Sequence, residues 1–156
     1  MIYIASDHRG YNLKEKIKQW LTGWSYKYKD LGNDYFDPED DYPDFATLVA
    51  KRVEEWKSGR VEEKERATGI VICGSGVGVD IVVNRFTGVR CGLGFSVEQI
   101  KKARKDDDIN CLALAADFLN EETAKEIVKT FLGTEFLQEE KKIRRIEKIE
   151  SIANSK

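Results

Sequence analysis

Apolar and polar positions along the chain switch repeatedly between a short continuous run and a helical period. Residues 2–5 form an apolar run, and after the polar segment Ser6-Asp7-His8-Arg9-Gly10 come Leu13, Ile17, Trp20, Leu21 and Trp24 at helical spacing. That pattern predicts strand, loop, helix. Residues 26–31 read as a second strand. A loop with Gly32, Asn33, Pro38 and Pro43 follows, then a helix carrying Phe45, Leu48, Val49, Val53 and Trp56 on one face. The charged stretch 57–66 reads as a surface connection. A third strand spans 68–73, a glycine turn opens a helix to about residue 85, and 89–95 is the fourth strand. A helix over 97–105, a fifth strand over 110–115 and a helix marked by Ile127, Val128, Phe131 and Leu132 complete the alternation. In the last segment Ile143, Ile146, Ile149 and Ile152 stripe an otherwise charged helix. Such a stripe wants a partner surface, on its own domain or on a second chain.

Alternating strands and helices imply an α/β fold with a five-stranded parallel sheet covered on both faces, because each crossover must be right-handed. Ligands in such folds bind at the carboxyl ends of the strands, near the topological switch point. The loops starting at Ser6, at Cys73 and after Phe95 lie on that edge. The segment at Asp106, which precedes the fifth strand, starts on the opposite edge unless a second chain presents it.

Composition narrows the class. A chain of 156 residues reads as one domain, 1–156, large enough to bury a core without staples. Lysine and arginine number 26 against 28 acidic residues, which gives no general argument for nucleic acid or anionic membranes. Local clusters are an acidic stretch at 37–41 and a basic run with Lys141, Lys142, Arg144, Arg145 and Lys148. Cys73, Cys91 and Cys111 are odd in number and form no CxxC pair, so reduced thiols and a cytoplasmic setting are expected. No basic-then-apolar leader is seen, and no apolar run approaches the roughly 18 to 20 residues of a membrane span.

The candidate chemistry sits at IVICGSGVG, residues 70–78, where a β-branched run ends on a cysteine and three glycines spaced two apart. A P-loop fails, since Gly78 is followed by Val79 and Asp80 rather than Lys and Ser or Thr. A dinucleotide fingerprint wants GxGxxG and an acidic residue after the next strand, where Phe95 and Ser96 stand. A receiver domain needs aspartate in the place of Cys73. What remains is a cysteine where a strand meets a helix N-terminus, a setting suited to a thiolate base or nucleophile. Amides at Gly74, Gly76 and Gly78 are placed to hold an oxyanion, and the Ser75 hydroxyl can give and take a proton. Cys91 and Cys111 read as buried, inert strand cysteines.

With these residues in view, the chain resembles the ribose-5-phosphate isomerase type B family, which also includes galactose-6-phosphate and allose-6-phosphate isomerases. The resemblance covers nearly the whole length and rests on SDHRGYNLK at 6–14, DYPDFA at 41–46, GIVICGSGVGVDIVVNRFTGVRCGL at 69–93 and NCLALAADF at 110–118. It implies a Rossmann-like three-layer sandwich whose C-terminal helix extends to a dimer partner. It further implies a homodimer or dimer of dimers with the active site between chains, and aldose-ketose isomerisation through an enediol. Carried over by position, Cys73 resembles the base moving the proton between C2 and C1, the Gly74, Gly76 and Gly78 amides the anion hole, and Ser75 the shuttle between O1 and O2. Asp7 and Tyr42 match sugar-hydroxyl contacts, His8 a position near the phosphate, and Lys141 and Arg145 two phosphate-gripping arginines, the first now lysine.

The match breaks at Asp106-Asp107-Asp108, where the family usually carries His-Asn-Asp with the histidine assisting ring opening. Asp106 is the expected replacement proton shuttle, provided burial and like-charged neighbours raise its pKa, and Asp107 an expected substrate contact. The triplet lacks the alternating spacing of a calcium loop, so no metal is expected, and no cofactor. Ribose 5-phosphate to ribulose 5-phosphate is the leading reading. Its rivals are an isomerase of a six-carbon sugar phosphate and a non-catalytic sugar-phosphate-binding protein or partner subunit.

Overall fold

A computed structural model of the chain describes residues 1–59 and 66–153. The elements run β1 (Ile2–Ser6), α1 (Tyr11–Gly23), β2 (Tyr28–Asp30), α2 (Tyr42–Lys57), β3 (Thr68–Cys73) and α3 (Val77–Val83). They continue with β4 (Cys91–Gly94), α4 (Val97–Asp107), β5 (Cys111–Ala115), α5 (Glu121–Gly133) and α6 (Glu140–Ala153). Most of the charged connection expected at 57–66 lies outside the described residues.

The five strands are parallel and stand in the order β2-β1-β3-β5-β4. Period-two alternation sends Tyr3, Ala5, Val71, Cys73, Cys111 and Ala113 to the face covered by α2 and α3. Ile4, Ile70, Ile72, Leu112 and Leu114 go to the other face, where they meet Ile17 and Leu21 of α1, Ile100 of α4, and Ile127 and Phe131 of α5. Leftward moves along the sheet (β1 to β2, β4 to β5) thus cross on the α1/α4 face and rightward moves on the α2/α3 face, as right-handed crossovers require. Each fully buried aliphatic side chain in these layers contributes about 1.5–3 kcal/mol. Side-chain caps start two of the outer helices: Ser96 accepts from the Gln99 amide and Asn120 from the Thr123 amide. Among the described residues no helix is long and apolar enough to cross a membrane.

Three expectations change. The fourth strand is shorter than 89–95 because the Asn110 side chain takes its first ladder positions, accepting from Arg90 N at 2.8 Å and donating to Gly88 O at 2.7 Å. The helix after the glycine turn ends at Val83, short of residue 85, and Asn84 then turns back to bond Cys91 N and O. Asp106 and Asp107 are not loop residues: they form the last turn of α4, and Asp108 closes that helix in the left-handed conformation with φ 46°.

Candidate active site

Chain direction reverses between β1 and β3: β1 feeds β2 on one side of the sheet, and β3 begins the run on the other. Their carboxyl ends leave a crevice at that switch point. Asp7 N donates to Ile72 O at 3.3 Å, which holds the loop after β1 against the end of β3. Cys73 is buried there, and its Sγ accepts the Gly76 N–H at 3.2 Å.

The three glycines serve different needs. Gly76 has φ +74°, and a Cβ on it would lie 2.5 Å from Leu93 Cδ1. Gly74 is bare because the Arg9–Asp117 ion pair crosses over it: a Cβ would stand 2.6 Å from Asp117 Oδ2. Arg9 donates to that oxygen through Nε at 2.9 Å and Nη2 at 2.5 Å, and the carboxylate holds its guanidinium above the ordinary arginine value. Gly78 lets the Tyr42 ring lie on α3, since a Cβ would meet Tyr42 Cζ at 2.7 Å. Ser75 is exposed at the crest, its Oγ accepting from Val77 N at 3.3 Å. The Gly76 amide is thus already aimed at sulfur, and the Val77 amide at the Ser75 hydroxyl.

Beside the thiol, Asp7 accepts from Gly10 N at 3.0 Å. Burial pushes its carboxyl up from the usual carboxylate value, against the pull of the Gly10 amide and of neighbouring His8. His8 lies next along the same loop. So Cys73, Ser75, Gly74, Gly76, Gly78, Asp7, His8 and Tyr42 gather on one edge. By contrast, Cys91 and Cys111 face each other in register on β4 and β5, and burial, with Cys111 second, pushes the Cys91 thiol well up. A thiol held so firmly protonated suits packing rather than proton abstraction. All three cysteines are free.

The remaining expected residues lie elsewhere. Asp106, Asp107, Lys141 and Arg145 belong to α4 and α6, at the amino-terminal edge of the sheet. The five residues of β5, at roughly 3.3 Å each, separate that edge from Cys73 by about 15 Å. Asp106 is paired there with Lys142 Nζ at 3.1 Å, while Lys141 and Arg145 are exposed. Asp108 is a structural anchor: Arg66 and Arg104 reach its Oδ1 at 2.7 and 3.0 Å, and Arg90 reaches its Oδ2 at 3.0 Å. Arg90 also binds Glu150 of α6 at 2.6 Å. A groove of about 420 Å³ lined by Arg90, Cys91, Asp107, Ile149 and Glu150 runs beside these contacts. Within one chain, the expected site is in two halves on opposite edges. Among the described residues no cluster of three or more His, Cys, Asp or Glu is gathered to hold a metal ion.

Several site-shaping residues were not singled out from the sequence. Arg9 and Asp117 stand inside the quoted motifs at 6–14 and 110–118, but, 108 positions apart, they carry no local sign of their pairing. Lys14 did carry a signal, since it falls on the buried stripe with Ile17 and Leu21. Its ammonium meets both oxygens of Asp30 at 2.9 Å and Asn33 O at 2.5 Å. Burial alone would raise the Asp30 carboxyl, but Lys18 and Lys14 together bring it below its usual value.

Comparison with known proteins places nearly the whole chain in one family. The family model described as Ribose/Galactose Isomerase matches residues 2–149. A probable ribose-5-phosphate isomerase B of Mycoplasma genitalium is 40% identical over 148 residues, covering 95% of this chain and 92% of its own. A crystal structure of ribose-5-phosphate isomerase B from that organism, with bound ribulose-5-phosphate, superposes with TM-score 0.91 at 38% identity, over 99% of this chain and 97% of that one. A 4-deoxy-4-sulfo-D-erythrose isomerase of a Clostridium species is 36% identical, covering 88% of this chain and 81% of its own.

Proposed function

The chain belongs to the ribose/galactose isomerase family and is an isomerase, and we propose that it interconverts ribose 5-phosphate and ribulose 5-phosphate with Cys73 as the base. The observation carrying this reading is the Cys73 thiol at the β1/β3 switch point, beneath a glycine turn whose Gly76 N–H points at its sulfur. The thiolate takes the proton from C2 of the open-chain aldose. The C2–H electrons form the C1=C2 bond, and the carbonyl pair moves onto O1. Amides of the glycine turn stabilise that oxygen, a role electrostatic preorganisation makes large. Ser75 passes the O2 proton to O1, the thiol returns its proton to C1, and the C2 carbonyl is left as ketose.

Asp7 and Tyr42 line the crevice as hydroxyl contacts. Lys141 and Arg145 supply the phosphate grip, with Asp106 and Asp107 nearby, from a second copy of the chain. Two observations support that division: the length of β5, about 15 Å, separates the edge that carries these residues from Cys73 within one chain, and the α6 stripe is partly uncovered, with Ile143, Ile149 and Ile152 at 38%, 48% and 65% exposure.

A second reading concerns substrate shape. Asp106 is tied to Lys142 and Asp108 to three arginines, so two of the three carboxylates are engaged in structure, while Asp107 is exposed. The Clostridium relative is named for a sugar bearing sulfonate on C4, which has no C4 hydroxyl and cannot close a five-membered ring. A chain of this family without a ring-opening histidine suits such an open-chain substrate.

The test is turnover of ribose 5-phosphate and of erythrose 4-phosphate, which is likewise unable to close that ring, by the purified protein beside Cys73→Ala. Turnover of the pentose that is lost in the variant supports the leading reading. Turnover of the tetrose alone favours the open-chain substrate, and turnover of neither favours a six-carbon sugar phosphate or a binding protein.

A further inference from the structure

The last turn of α4 holds the chain that leads into α6 at consecutive residues. Arg104 Nε donates to Thr134 O at 3.1 Å, Lys105 O accepts from Leu137 N at 3.2 Å, and Asp106 Oδ1 pairs with Lys142 Nζ at 3.1 Å. Lys142 also donates to Glu139 Oε1 at 3.0 Å. Further along α6, Glu150 Oε1 accepts from Arg90 Nη1 at 2.6 Å, while the other Arg90 nitrogens hold the Asp107 and Asp108 carbonyls and the Asp108 carboxylate. The Arg90 side chain is 8% exposed and that of Lys142 14%.

Lys142, Ile146 and Glu150 stand four residues apart and so form one stripe of the helix. They are half-buried, whereas residues 143–145 and 147–149 are exposed. That stripe is the face α6 turns to its own domain. Its two charged ends are of opposite sign and lie about 12 Å apart along the axis. Sliding α6 by one turn in one direction would bring Ile146 to Asp106, and in the other direction to Arg90, leaving a charge without its partner either way. The two ion pairs therefore fix where α6 lies and how far it is rotated. Lys141 and Arg145 each precede a residue of the stripe, so they stand about 100° around the axis from it, and both are exposed.

We propose that Asp106 is the positioning residue of the phosphate grip: by holding Lys142 it sets the rotation of α6, and with it the aim of Lys141 and Arg145 at the phosphate of a substrate bound in the crevice of a second copy. This rests on the sugar-phosphate reading above and deepens it, moving Asp106 from the expected ring-opening shuttle to the binding of the phosphate.

The experiment compares Asp106→Asn, Lys142→Met and the double variant with the parent on ribose 5-phosphate and on erythrose 4-phosphate, which carries the phosphate but has no five-membered ring to open. Each single variant raises KM about two- to fivefold, the weight of one partly exposed ion pair, with kcat within about twofold, for every substrate the parent turns over. The double variant is no worse than either single one, because both changes remove the same contact. A fall in kcat on the pentose with the tetrose spared identifies a ring-opening shuttle and overturns the proposal. A lower KM in Asp106→Asn also overturns it, since Lys142, once released, would then be binding the phosphate itself, and so do additive effects of the two changes. Lys142→Met reaches the pair from α6 and keeps the comparison independent of the end of α4. Absence of turnover in the parent counts against the isomerase reading, and calorimetric titration with ribose 5-phosphate then makes the same comparison. A Kd weaker by about two- to fivefold in both single variants upholds the proposal; unchanged binding, or no binding by the parent, overturns it.

Discussion

Replacing Gly76 with alanine tests whether the glycine turn is dictated by backbone conformation and space. At φ +74° an L-residue pays about 1–2 kcal/mol for the left-handed conformation. The new Cβ would also lie 2.5 Å from Leu93 Cδ1, 3.0 Å from Leu114 C and 3.1 Å from Ala115 N. Leu93 can rotate, but the other two atoms are backbone at the end of β5, next to the central strand, and cannot withdraw without disturbing the ladder. Overpacking of that kind costs about 1–3 kcal/mol. The two effects together predict a loss of about 2–5 kcal/mol, a large share of the ~5–15 kcal/mol that holds a domain of this size. Urea denaturation should show a lower midpoint with an unchanged slope. Gly133→Ala is the control, because nothing lies within 4 Å of a Cβ there and the residue ends α5. It should be neutral or stabilising by up to about 1 kcal/mol. A Gly76→Ala midpoint within about 1 kcal/mol of the Gly133→Ala midpoint would refute the reasoning.

Two further expectations concern buried charge. Lys14→Met leaves Asp30 buried with only Lys18, at 2.7 Å. Breaking a buried pair costs about 3–5 kcal/mol, and the retained Lys18 should keep the loss near 3 kcal/mol in thermal or urea unfolding; a loss below about 0.5 kcal/mol would mean that Lys18 alone holds Asp30. For Asp7, burial raises the folded-state pKa above the unfolded 3.8, so the folded form binds its proton more readily. Stability from this group is therefore present at acid pH and declines as pH climbs from about 4 through the raised value. Asp7→Asn keeps an acceptor for the Gly10 amide, removes that decline and should be more stable than the parent at neutral pH. Parallel stability–pH curves for the two proteins would contradict this account.

Much of the architecture was legible because its signals are local. The runs at 2–5 and 68–73 are short, apolar and ended by turn residues, and each became a strand in the expected order. Where boundaries moved, side chains moved them: Asn110 takes up Arg90 N and Gly88 O ahead of β4, and Arg66 and Arg90, from separate segments, join Arg104 one turn back on α4 in holding Asp108 at the helix end. The glycine triplet was read as a turn with available amides. The Gly74 and Gly78 positions in fact answer to side chains from elsewhere in the chain, the Arg9–Asp117 pair and the Tyr42 ring, which no local pattern encodes. Asp40 was invisible for a related reason. It sits in the acidic stretch 37–41, which the sequence marks only as a cluster of charge, and its contact with His8 Nδ1 at 2.7 Å comes from the fold of that loop. The separation of Cys73 from Asp106 followed from strand polarity alone, since one ends β3 and the other precedes β5.

The strand order has a consequence for how the molecule comes into being. β5 lies between β3 and β4, so the fourth strand has no neighbour to pair with until the fifth arrives. Domains made on the ribosome assemble from the amino terminus, at about 5–20 residues per second. By the time Val83 has emerged, β2, β1 and β3 can already be joined, with the loop after β1 closed on the end of β3. Residues 91–94 must then wait, their ladder groups and the Cys91 thiol open to the surroundings, for the roughly one to four seconds that bring Cys111–Ala115 into the gap. The β1–β3 side of the crevice can therefore form early in synthesis, while the edge of the sheet, and the Asp117 that closes over Gly74, arrive late.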